Sequence, residues 1–474
     1  MTFYDKTIFL DQFTPVSIYQ KVKRIFDKEI TFLFESSVSN STDGNFSYIF
    51  IGARERVWHK NSQSYYKNEE GKIEEISKNP FVFLKEYYSK LDKNFYKEKG
   101  AQLGIGLIDG FIGNMGYDMV ATFEPSLEKS MQNLPDELDI PDCDLIRPKI
   151  VLVYSHKTSQ LTMVTSLEEC ASDLEDIEKF LHEPFMHTPL QKATILEEGS
   201  FAHTKEKFFE MIAKSKEMIR SGDVFQILMT NRYTTKAKID NLSFYRLLRS
   251  KNPSPYLFLL EYEDFCIAGS SPEVMVRLND NRILLRPIAG TRKRGKTVAK
   301  DLEMEHEMLN DPKEVAEHVM LIDLGRNDVG RVAKTGTVEV TDKMRVEKYS
   351  HVMHMVSDVE ANLDDKYDMF DLFAATFTAG TMTGAPKIRA MELIADFEKL
   401  KRSFYSGSVA YFGFDGNMDS AITIRTTLIK DELVVFQSGA GVVADSVPEL
   451  EFLEVNNKLA ANISTLEDLS NIRD

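Results

Sequence analysis

Two pairs of glutamates at helical spacing are the first residues in this sequence that could act together. Glu314 and Glu317 lie three residues apart in KEVAEHVML, and Glu451 and Glu454 repeat that spacing after Pro448. Residues three apart share one face of a helix. Carboxylates from two such helices could hold Mg²⁺, which usually needs only one or two protein carboxylates besides water and substrate. Two solvated helix faces would show the same spacing, so both interpretations stay open here.

Three further segments could bind an anion. The segment Ser438-Gly439-Ala440-Gly441 follows the apolar run LVVF, and its two glycines would let backbone N–H groups turn toward a ligand. Residues 383–387 precede a helical pattern and contain Pro386, which suits a first helical turn whose N–H groups attract carboxylates. Arg425, in the strand-like AITIRTT, could bind a carboxylate with both guanidinium nitrogens. A plain turn, a helix cap and a solvent-facing arginine explain the same residues.

Two segments offer groups for proton transfer. His351 and His354 lie three apart in YSHVMH, and imidazole titrates near neutral pH. Ser270, Ser271 and Glu273, in GSSPEVMVRL, could place a carboxylic acid at a strand end. A structural histidine and an ordinary turn remain alternatives for these two segments.

Composition limits the partners of the 474-residue chain. Its net charge of −16 argues against nucleic acid and anionic membrane surfaces, because both attract basic patches. It still allows a small acidic substrate, since a few local cations and a metal can reverse the field in a pocket. The distant Cys143, Cys170 and Cys266 predict reduced thiols rather than disulfides or zinc. Without a signal pattern or an apolar run of ~20 residues, we expect a cytoplasmic protein with no membrane or nucleic-acid partner.

Local patterns divide the chain into two units. The runs TFLFESS, FSYIFIG and GLIDGFIGNMGYD, a hairpin at 149–165 and an amphipathic helix at 166–183 predict an N-terminal unit over residues 1–185. Pro184 and Pro189 end it, and residues 186–203 are the predicted linker. A helix after the N-cap Thr204 opens the second unit, residues 204–474. Because strands and helices mix there without regular βαβ alternation, the expected fold class is α+β.

Seven motifs, spread over about half the chain, lead further: GSSPE, PIAGTR, DPKEVAEHVMLIDLGRND, YSHVMHMVS, AGTMTGAPKIRAMELI, GNMDSAITIRT and GAGVVADSVPELE. Together they resemble the chorismate-utilising enzymes, and most closely the group that forms the synthase component (component I) of anthranilate synthase. The resemblance implies the chorismate-binding-enzyme fold, with two facing β-sheets flanked by helices and an intertwined N-terminal regulatory unit. It also implies a lyase of tryptophan biosynthesis that converts chorismate and ammonia to anthranilate and pyruvate.

The resemblance assigns the metal and substrate residues. Glu317 and Glu454 resemble direct Mg²⁺ ligands, while Glu314 and Glu451 resemble residues that hold metal-bound waters. Arg425 would take the enolpyruvyl carboxylate of chorismate. The implied substrate-binding residues are Gly290, Thr291, Tyr405, Arg425, Gly439, Ala440, Gly441 and Lys458.

The implied chemistry has two steps. Ammonia adds at ring C2 while the C4 hydroxyl leaves, and Glu273 resembles the general acid that protonates this leaving group. Pyruvate is then eliminated, and His354 resembles the residue that assists the elimination, with Thr291 as the third catalytic residue.

Two positions favour ammonia as the nucleophile. Aminodeoxychorismate synthases carry a lysine where this sequence has Ala289, and isochorismate and salicylate synthases carry a lysine base where it has Gln226. Neither side chain can replace those lysines. The alternatives kept open are aminodeoxychorismate synthase component I, isochorismate or salicylate synthase and, from another class, a catalytically silent subunit that binds chorismate or tryptophan.

Regulation and nitrogen supply are also implied. LFESS and NPSPY resemble the walls of a pocket for L-tryptophan as feedback inhibitor, with Glu35, Ser36, Pro255, Tyr256 and Leu257 as its residues. Periodicity alone would make the first two the end of an edge strand. Because none of the cysteines lies in a glycine-rich nucleophile turn, we expect ammonia from a separate glutamine amidotransferase subunit (component II), in a heterotetramer.

Overall fold

The computed structural model describes residues 2–36, 45–184, 188–349 and 352–472. In these ranges the strands are β1 (Tyr4–Phe9), β2 (Thr31–Glu35), β3 (Phe46–Lys60), β4 (Gln63–Lys67), β5 (Ile73–Ile76), β6 (Gly110–Met115), β7 (Cys143–Ser155), β8 (Gln160–Thr165), β9 (Thr194–Phe201), β10 (Gln226–Lys238), β11 (Tyr256–Glu261), β12 (Phe265–Ser271), β13 (Val274–Asn279), β14 (Arg282–Leu285), β15 (Ile288–Lys293), β16 (Glu339–Lys348), β17 (Val352–Asn362), β18 (Gly384–Ala385), β19 (Ser408–Gly413), β20 (Met418–Ile422), β21 (Thr426–Lys430) and β22 (Leu433–Val442).

Helices alternate irregularly with these strands. The α-helices are α1 (Pro15–Ile25), α2 (Pro80–Tyr88), α3 (Lys93–Leu103), α4 (Val120–Phe123), α5 (Glu128–Met131), α6 (Ala171–His182), α7 (Lys205–Arg220), α8 (Asn241–Lys251), α9 (Val298–Asn310), α10 (Pro312–Gly330), α11 (Met369–Thr376), α12 (Lys387–Glu398) and α13 (Pro448–Ser470). Short 3₁₀ turns cover Tyr117–Met119, Pro125–Leu127, Glu168–Cys170 and Gly380–Met382. The α+β class is confirmed.

The two expected sheets are arms of one hydrogen-bonded network that meet at the long strands β3 and β7. These strands pair antiparallel along their length, with a bulge between Ala53 and Glu55. One arm runs from β1 and β8 through β7, β3, β2, β11, β12, β21, β22 and β10 to β9. The other runs from β7 through β6, β19, β20, β13 and β14 to β17, which β15 and β16 also pair with.

The N-terminal strands are built into both arms. β2 lies between β3 and β11, so residues 31–35 form an interior strand and not the edge strand that periodicity indicated. In the second arm, β6 lies between β7 and β19. The intertwined arrangement is therefore present, while the unit boundaries at 185 and 204 stay a prediction.

Part of the predicted linker is a strand. β9 pairs with β10 over Thr194–Phe201, although its side chains are mostly exposed. An edge strand with solvated side chains shows no apolar alternation, because only its backbone is held. Residues 194–201 of the predicted linker 186–203 are therefore an edge strand, and residues 185–187 lie outside the described ranges. The linker as a boundary between two units stays a prediction.

Several local predictions hold. The hairpin β7–β8 and the helix α6 lie where the patterns placed them, and Thr204 caps α7 by accepting the Lys207 N–H at 3.3 Å. Pro386 is the N-cap of α12 rather than a first-turn residue. All three cysteines are buried and free. Within the described ranges, no helix is long and apolar enough to cross a membrane.

Two helices carry the predicted carboxylate pairs. α10 begins at Pro312, where the Asp311 side chain accepts the Lys313 and Glu314 N–H groups, and it packs against β15 and β17. α13 begins at Pro448 and packs against β22 and α8. Both helices therefore lie against strands that carry predicted substrate residues.

Candidate active site

A bulge in β15 brings His354 against the Gly290–Thr291 turn. β15 pairs with β17 and shifts register between Ala289 and Thr291, where Gly290 adopts a φ of 67° that favours glycine. The Nδ1 atom of His354 lies 3.0 Å from Thr291 Oγ1 and 3.2 Å from the Gly290 carbonyl oxygen. These three predicted residues thus form one cluster.

His354 is suited to act as a neutral base. Burial lowers the pKa of its imidazole, partly opposed by the Gly290 contact, and nearby Arg425 lowers it further. Because a carbonyl oxygen only accepts, the contact with Gly290 requires the proton on Nδ1. Nε2 then carries the lone pair. His351, the other candidate, lies outside the described residues.

Glu273 is buried between β12 and β13 as a carboxylic acid. Burial raises its pKa to about 7, while a hydrogen bond from Thr381 and the charges of Lys458 and Arg425 oppose the rise. The Thr381 hydroxyl donates to Glu273 Oε1 at 2.9 Å. A carboxyl with such a pKa can donate a proton near neutral pH.

The pattern had indicated that Arg425 lies on a strand. It lies instead in the connection between β20 and β21. Its φ is 50°, a left-handed conformation that costs energy in a residue other than glycine, and its carbonyl accepts the Ser270 N–H. The side chain is partly buried, and its guanidinium donates to Asn252 Oδ1 at 3.2 Å. Burial lowers its pKa, against the opposing charge of Glu273. Arg425 and Glu273 therefore lie near enough for their charges to act on each other.

The predicted glycine loop is a strand. Gly439, Ala440 and Gly441 belong to β22. The backbone of all three is paired with β10, so it continues the strand and does not form a loop. Lys458 of α13 donates to the Gly439 carbonyl at 2.9 Å. Burial raises the pKa of Tyr405, while Arg402 and a hydrogen bond from the Gly439 backbone lower it. Tyr405 and Lys458 therefore meet at β22.

The four glutamates approach one another from α10 and α13. Burial raises the pKa of Glu317, and the carboxylates of Glu314 and Glu454 raise it further. Burial also raises the pKa of Glu451, with Glu454 adding to the rise. The carboxylates of Glu317 and Glu454 are therefore near enough for their charges to act on each other.

These residues are oxygen donors of the kind that Mg²⁺ binds, but their side chains are not arranged as a complete coordination site. In the described part of the chain, no group of three or more His, Cys, Asp or Glu residues is already arranged to hold a metal ion. Glu314 pairs with Arg292 at 2.8 Å, and Glu454 pairs with Lys458 at 2.7 Å. Oxygen donors from two helices match the preference of Mg²⁺, which keeps several waters.

A separate cavity of about 640 Å³ lies between the N-terminal strands and the C-terminal half; we call it the interface cavity. It contains every predicted tryptophan residue: Glu35, Ser36, Pro255, Tyr256 and Leu257. Phe46, Tyr48, Val409 and Tyr411 add apolar and aromatic walls. None of the predicted catalytic, substrate or metal residues lines it.

Glu35 links β2 to α8 at the wall of the interface cavity. The Tyr245 hydroxyl donates to Glu35 Oε2 at 2.6 Å, and Arg249 Nε lies 3.2 Å from the same oxygen. Burial raises the pKa of Glu35, while Arg249 and Tyr245 oppose the rise.

The interface cavity and the active site share a thin wall. Pro272 lines the cavity and is the residue before Glu273. Tyr349 also lines the cavity, and its ring packs edge-to-face on His354 with 5.7 Å between the ring centroids. Asn252, which bonds Arg425, immediately precedes Pro253 of the cavity wall.

Sequence reasoning did not assign three of these contacts. Thr381 stood in the TMTGAP motif, where its hydroxyl was a signal that went unused. Asn252 stood in NPSPY but was read with the tryptophan pocket only, and Tyr349 stood in YSHVMH, where only the histidines were considered. Thr381 and Asn252 act through residues distant in the chain, which a linear pattern does not reveal.

A buried acid, a neutral histidine and a partly buried arginine within one site suit an enzyme that holds an anion and moves protons on it. The α+β fold and this site thus define an enzyme class for small carboxylated substrates.

Comparison with known proteins specifies the class. A family model described as chorismate binding enzyme matches residues 34–464. Anthranilate synthase component 1 from Aquifex aeolicus is 39% identical over 97% of this chain and 93% of the relative, and that from Acinetobacter calcoaceticus is 40% identical over 97% and 94%. The crystal structure of anthranilate synthase component I from Streptococcus pneumoniae superposes with a TM-score of 0.76 at 31% identity, covering 90% of this chain and 93% of the other. The chain belongs to the chorismate binding enzyme family, within its anthranilate synthase component I group.

Proposed function

We propose that this chain converts chorismate and ammonia to anthranilate and pyruvate. The observation that carries the proposal is the meeting of Glu273, His354 and Arg425 in one buried site, in a chain whose relatives are anthranilate synthase components along nearly its whole length. Its location would be the cytoplasm.

The residues present divide the work. Arg425 would bind the enolpyruvyl carboxylate, because a guanidinium can donate two parallel hydrogen bonds to it. Glu273, protonated near neutral pH, would donate its proton to the departing C4 hydroxyl, which leaves as water while ammonia bonds to C2. His354 Nε2, held by the contacts of Nδ1, would assist the removal of pyruvate.

We propose that Glu317 and Glu454 hold Mg²⁺ and that Glu314 and Glu451 hold its waters. The ion, when bound, would supply Lewis-acid and template chemistry at the ring carboxylate. The shared repulsion among these carboxylates supports a site that a cation would relieve.

Ala289 and Gln226 support ammonia as the nucleophile over aminodeoxychorismate or isochorismate chemistry. A methyl group cannot attack the ring, and an amide cannot deprotonate water. The name component 1 that the relatives bear implies a second component. We propose a glutamine amidotransferase subunit, in a heterotetramer, as the source of ammonia.

We also propose L-tryptophan as an inhibitor that binds the interface cavity. The support is geometric: all five predicted residues line one cavity with aromatic walls. That space adjoins the active site through Tyr349 and Pro272, so an occupant can favour one arrangement of the shared wall.

The first experiment is a fluorescence assay for anthranilate with purified protein, chorismate, Mg²⁺ and an ammonium salt at mildly alkaline pH. We expect fluorescence that grows with time and disappears with EDTA. Glu317→Gln should lower the rate at least about a hundredfold, since it removes a proposed metal ligand. Glu449→Gln, an exposed glutamate in the first turn of α13, is the matched control and should keep the wild-type rate.

Other outcomes identify the alternatives. Loss of chorismate without fluorescence would indicate a different chorismate product, which chromatography identifies. Full activity of Glu317→Gln would falsify the metal assignment. Titration with L-tryptophan should suppress the rate, and calorimetry should detect its binding. A protein that neither binds chorismate nor shows ammonia-dependent turnover would contradict the proposed enzyme activity.

A further inference from the structure

A histidine occupies a fully buried position on the helix that carries the first glutamate pair. The buried stripe of α10 begins at His318 and continues with Leu321, Ile322, Gly325 and Val329, the spacing of one helix face. The other four residues are apolar, whereas His318 is polar and 0% exposed. A buried imidazole costs free energy unless it is hydrogen-bonded, so the partner of this ring explains its place.

The partner of His318 lies on the strand that carries His354. The Nε2 atom of His318 is 2.7 Å from Ser357 Oγ, and Ser357 is 0% exposed and three residues beyond His354 on β17. The Met344 N–H of β16 donates to the same oxygen at 2.8 Å, which leaves the hydroxyl hydrogen for Nε2. Nδ1 has no hydrogen-bond partner among the described residues. One hydroxyl therefore joins α10 to β16 and β17.

This hydrogen bond lies within one turn of both glutamates of α10. Glu317 directly precedes His318, and Glu314 lies four residues before it on the same face. Apolar contacts along the rest of the buried stripe have no preferred direction, whereas a hydrogen bond needs a short distance and a nearly straight angle. The bond to Ser357 therefore fixes the rotation of these turns about the helix axis.

A second contact holds the beginning of α10 from β15. Arg292 donates to Glu314 Oε1 at 2.8 Å and to Oδ2 of the N-cap Asp311 at 3.1 Å. Because β15 and β17 pair with each other, both contacts come from the strands that also carry His354. The glutamates and the histidine of the active site are thus held in one common framework.

We infer that His318 is a positioning residue, whose hydrogen bond to Ser357 directs Glu314 and Glu317 and so sets the affinity of the site for Mg²⁺. The inference rests on the proposed function, in which Glu317 is a direct ligand. Mg²⁺ demands nearly ideal octahedral geometry, so a small rotation of α10 would move a carboxylate oxygen out of place. Groups that orient metal ligands typically change the affinity about 10- to 100-fold.

Ser357→Ala is the primary test, because it removes the hydroxyl and leaves every residue of α10 unchanged. Calorimetric titration of the substrate-free protein with MgCl₂ should show a Kd at least about tenfold higher than that of the wild type. The Mg²⁺ concentration for half-maximal anthranilate formation should rise by the same factor. At saturating Mg²⁺, the KM for chorismate should stay within about threefold, since no substrate contact is removed.

Ser357→Thr and His318→Gln are the conservative variants. Threonine keeps the hydroxyl, and the glutamine amide can reach the place of Nε2, so both should keep the Kd for Mg²⁺ within about threefold of the wild type. His318→Leu makes the buried stripe apolar throughout and should weaken Mg²⁺ binding as Ser357→Ala does. It carries the test if the alanine variant does not fold.

The double variant His318→Leu/Ser357→Ala tests whether the two side chains act as a pair. Its Kd for Mg²⁺ should equal that of either single variant, because each substitution removes the same hydrogen bond. Ser215→Ala is the matched control, since it removes another fully buried hydroxyl, which donates to the Met211 carbonyl of α7 at 2.8 Å. It should lower the melting temperature and leave the Kd for Mg²⁺ unchanged.

The outcomes separate the inference from the proposed function. If the wild type binds Mg²⁺, an unchanged Kd in Ser357→Ala and His318→Leu overturns the inference alone. Equal weakening by Ser215→Ala, or additive effects in the double variant, overturns it as well. A wild type that neither binds Mg²⁺ nor forms anthranilate overturns the proposed function and the inference with it.

Discussion

Glu273 shows how a single side chain obtains a function from its surroundings. Its carboxyl is removed from water between two strands, which raises the pKa to about 7, and one hydroxyl, that of Thr381, holds its orientation. An exposed glutamate would be ionised at neutral pH and could not donate a proton.

The raised pKa predicts a pH dependence. An acid with a pKa of about 7 is protonated below that pH and loses its proton above it, so a reaction that needs the proton should slow as the pH rises. We expect kcat/KM for chorismate to fall about tenfold per pH unit above ~7 when free ammonia is held constant. A flat profile between neutral and strongly alkaline pH would contradict Glu273 as the donor.

Thr381→Val provides the matched variant for this profile. The hydrogen bond from Thr381 lowers the pKa of Glu273, so its removal should raise that pKa and move the decline to higher pH. An unmoved profile would mean that another group controls it.

At the scale of residues, the motifs located the site but not its contacts. Glu273, His354 and Arg425 were assigned from the resemblance, and the structure brings them together. Their partners Thr381 and Asn252 are distant in the chain, and protonation states depend on burial, which no local pattern contains. Arg425 was placed on a strand because AITIRTT alternates, whereas its positive φ ends the alternation.

At the scale of elements, strand existence was predictable and strand neighbours were not. TFLFE gives β2 its apolar character, but periodicity does not state which strands flank it. The structure places β2 between β3 and β11, where Glu35 bonds α8. The strand β9 was not predicted, because its mostly exposed side chains show no alternation of apolar and polar residues.

Tyr245→Phe tests the link between β2 and α8. The change leaves buried Glu35 without the 2.6 Å hydrogen bond, which should lower the free energy of unfolding by about 1–3 kcal/mol. Tryptophan should also bind more weakly, since Glu35 lines the interface cavity. Denaturant unfolding and calorimetry measure the two effects.

Tyr65→Phe is the control for this change. Its hydroxyl makes an exposed hydrogen bond to Gln63, so unfolding should change by less than about 0.5 kcal/mol. Equal stability of Tyr245→Phe and wild type would show that the Glu35 contact contributes nothing.

At the scale of the molecule, the division into two units follows the order of the chain but not the pairing of the strands, because N-terminal strands lie inside both arms of the sheet. A fragment of residues 204–474 would lack β2 beside β11 and β6 beside β19. We expect this fragment to be unfolded or aggregated, as judged by circular dichroism and gel filtration, because two interior strands become open edges.

Co-expression of residues 1–185 with residues 186–474 is the control for this fragment. Every strand is then present, so the two pieces should assemble into a soluble complex. A soluble, folded fragment 204–474 on its own would contradict the argument from strand pairing.

The interior position of the N-terminal strands has a consequence during synthesis. Glu35 and Tyr245, which hydrogen-bond in the finished protein, are 210 residues apart, and Asp118 and the Ser403 N–H that it accepts are 285 apart. At ~5–20 residues per second, a ribosome needs roughly 10 to 40 s to deliver the first of these partners. Until then β2 and β6 have no C-terminal neighbours, and their unpaired edges are open to other chains. The nascent protein therefore depends on protection from aggregation for as long as its own C-terminal half is still being made.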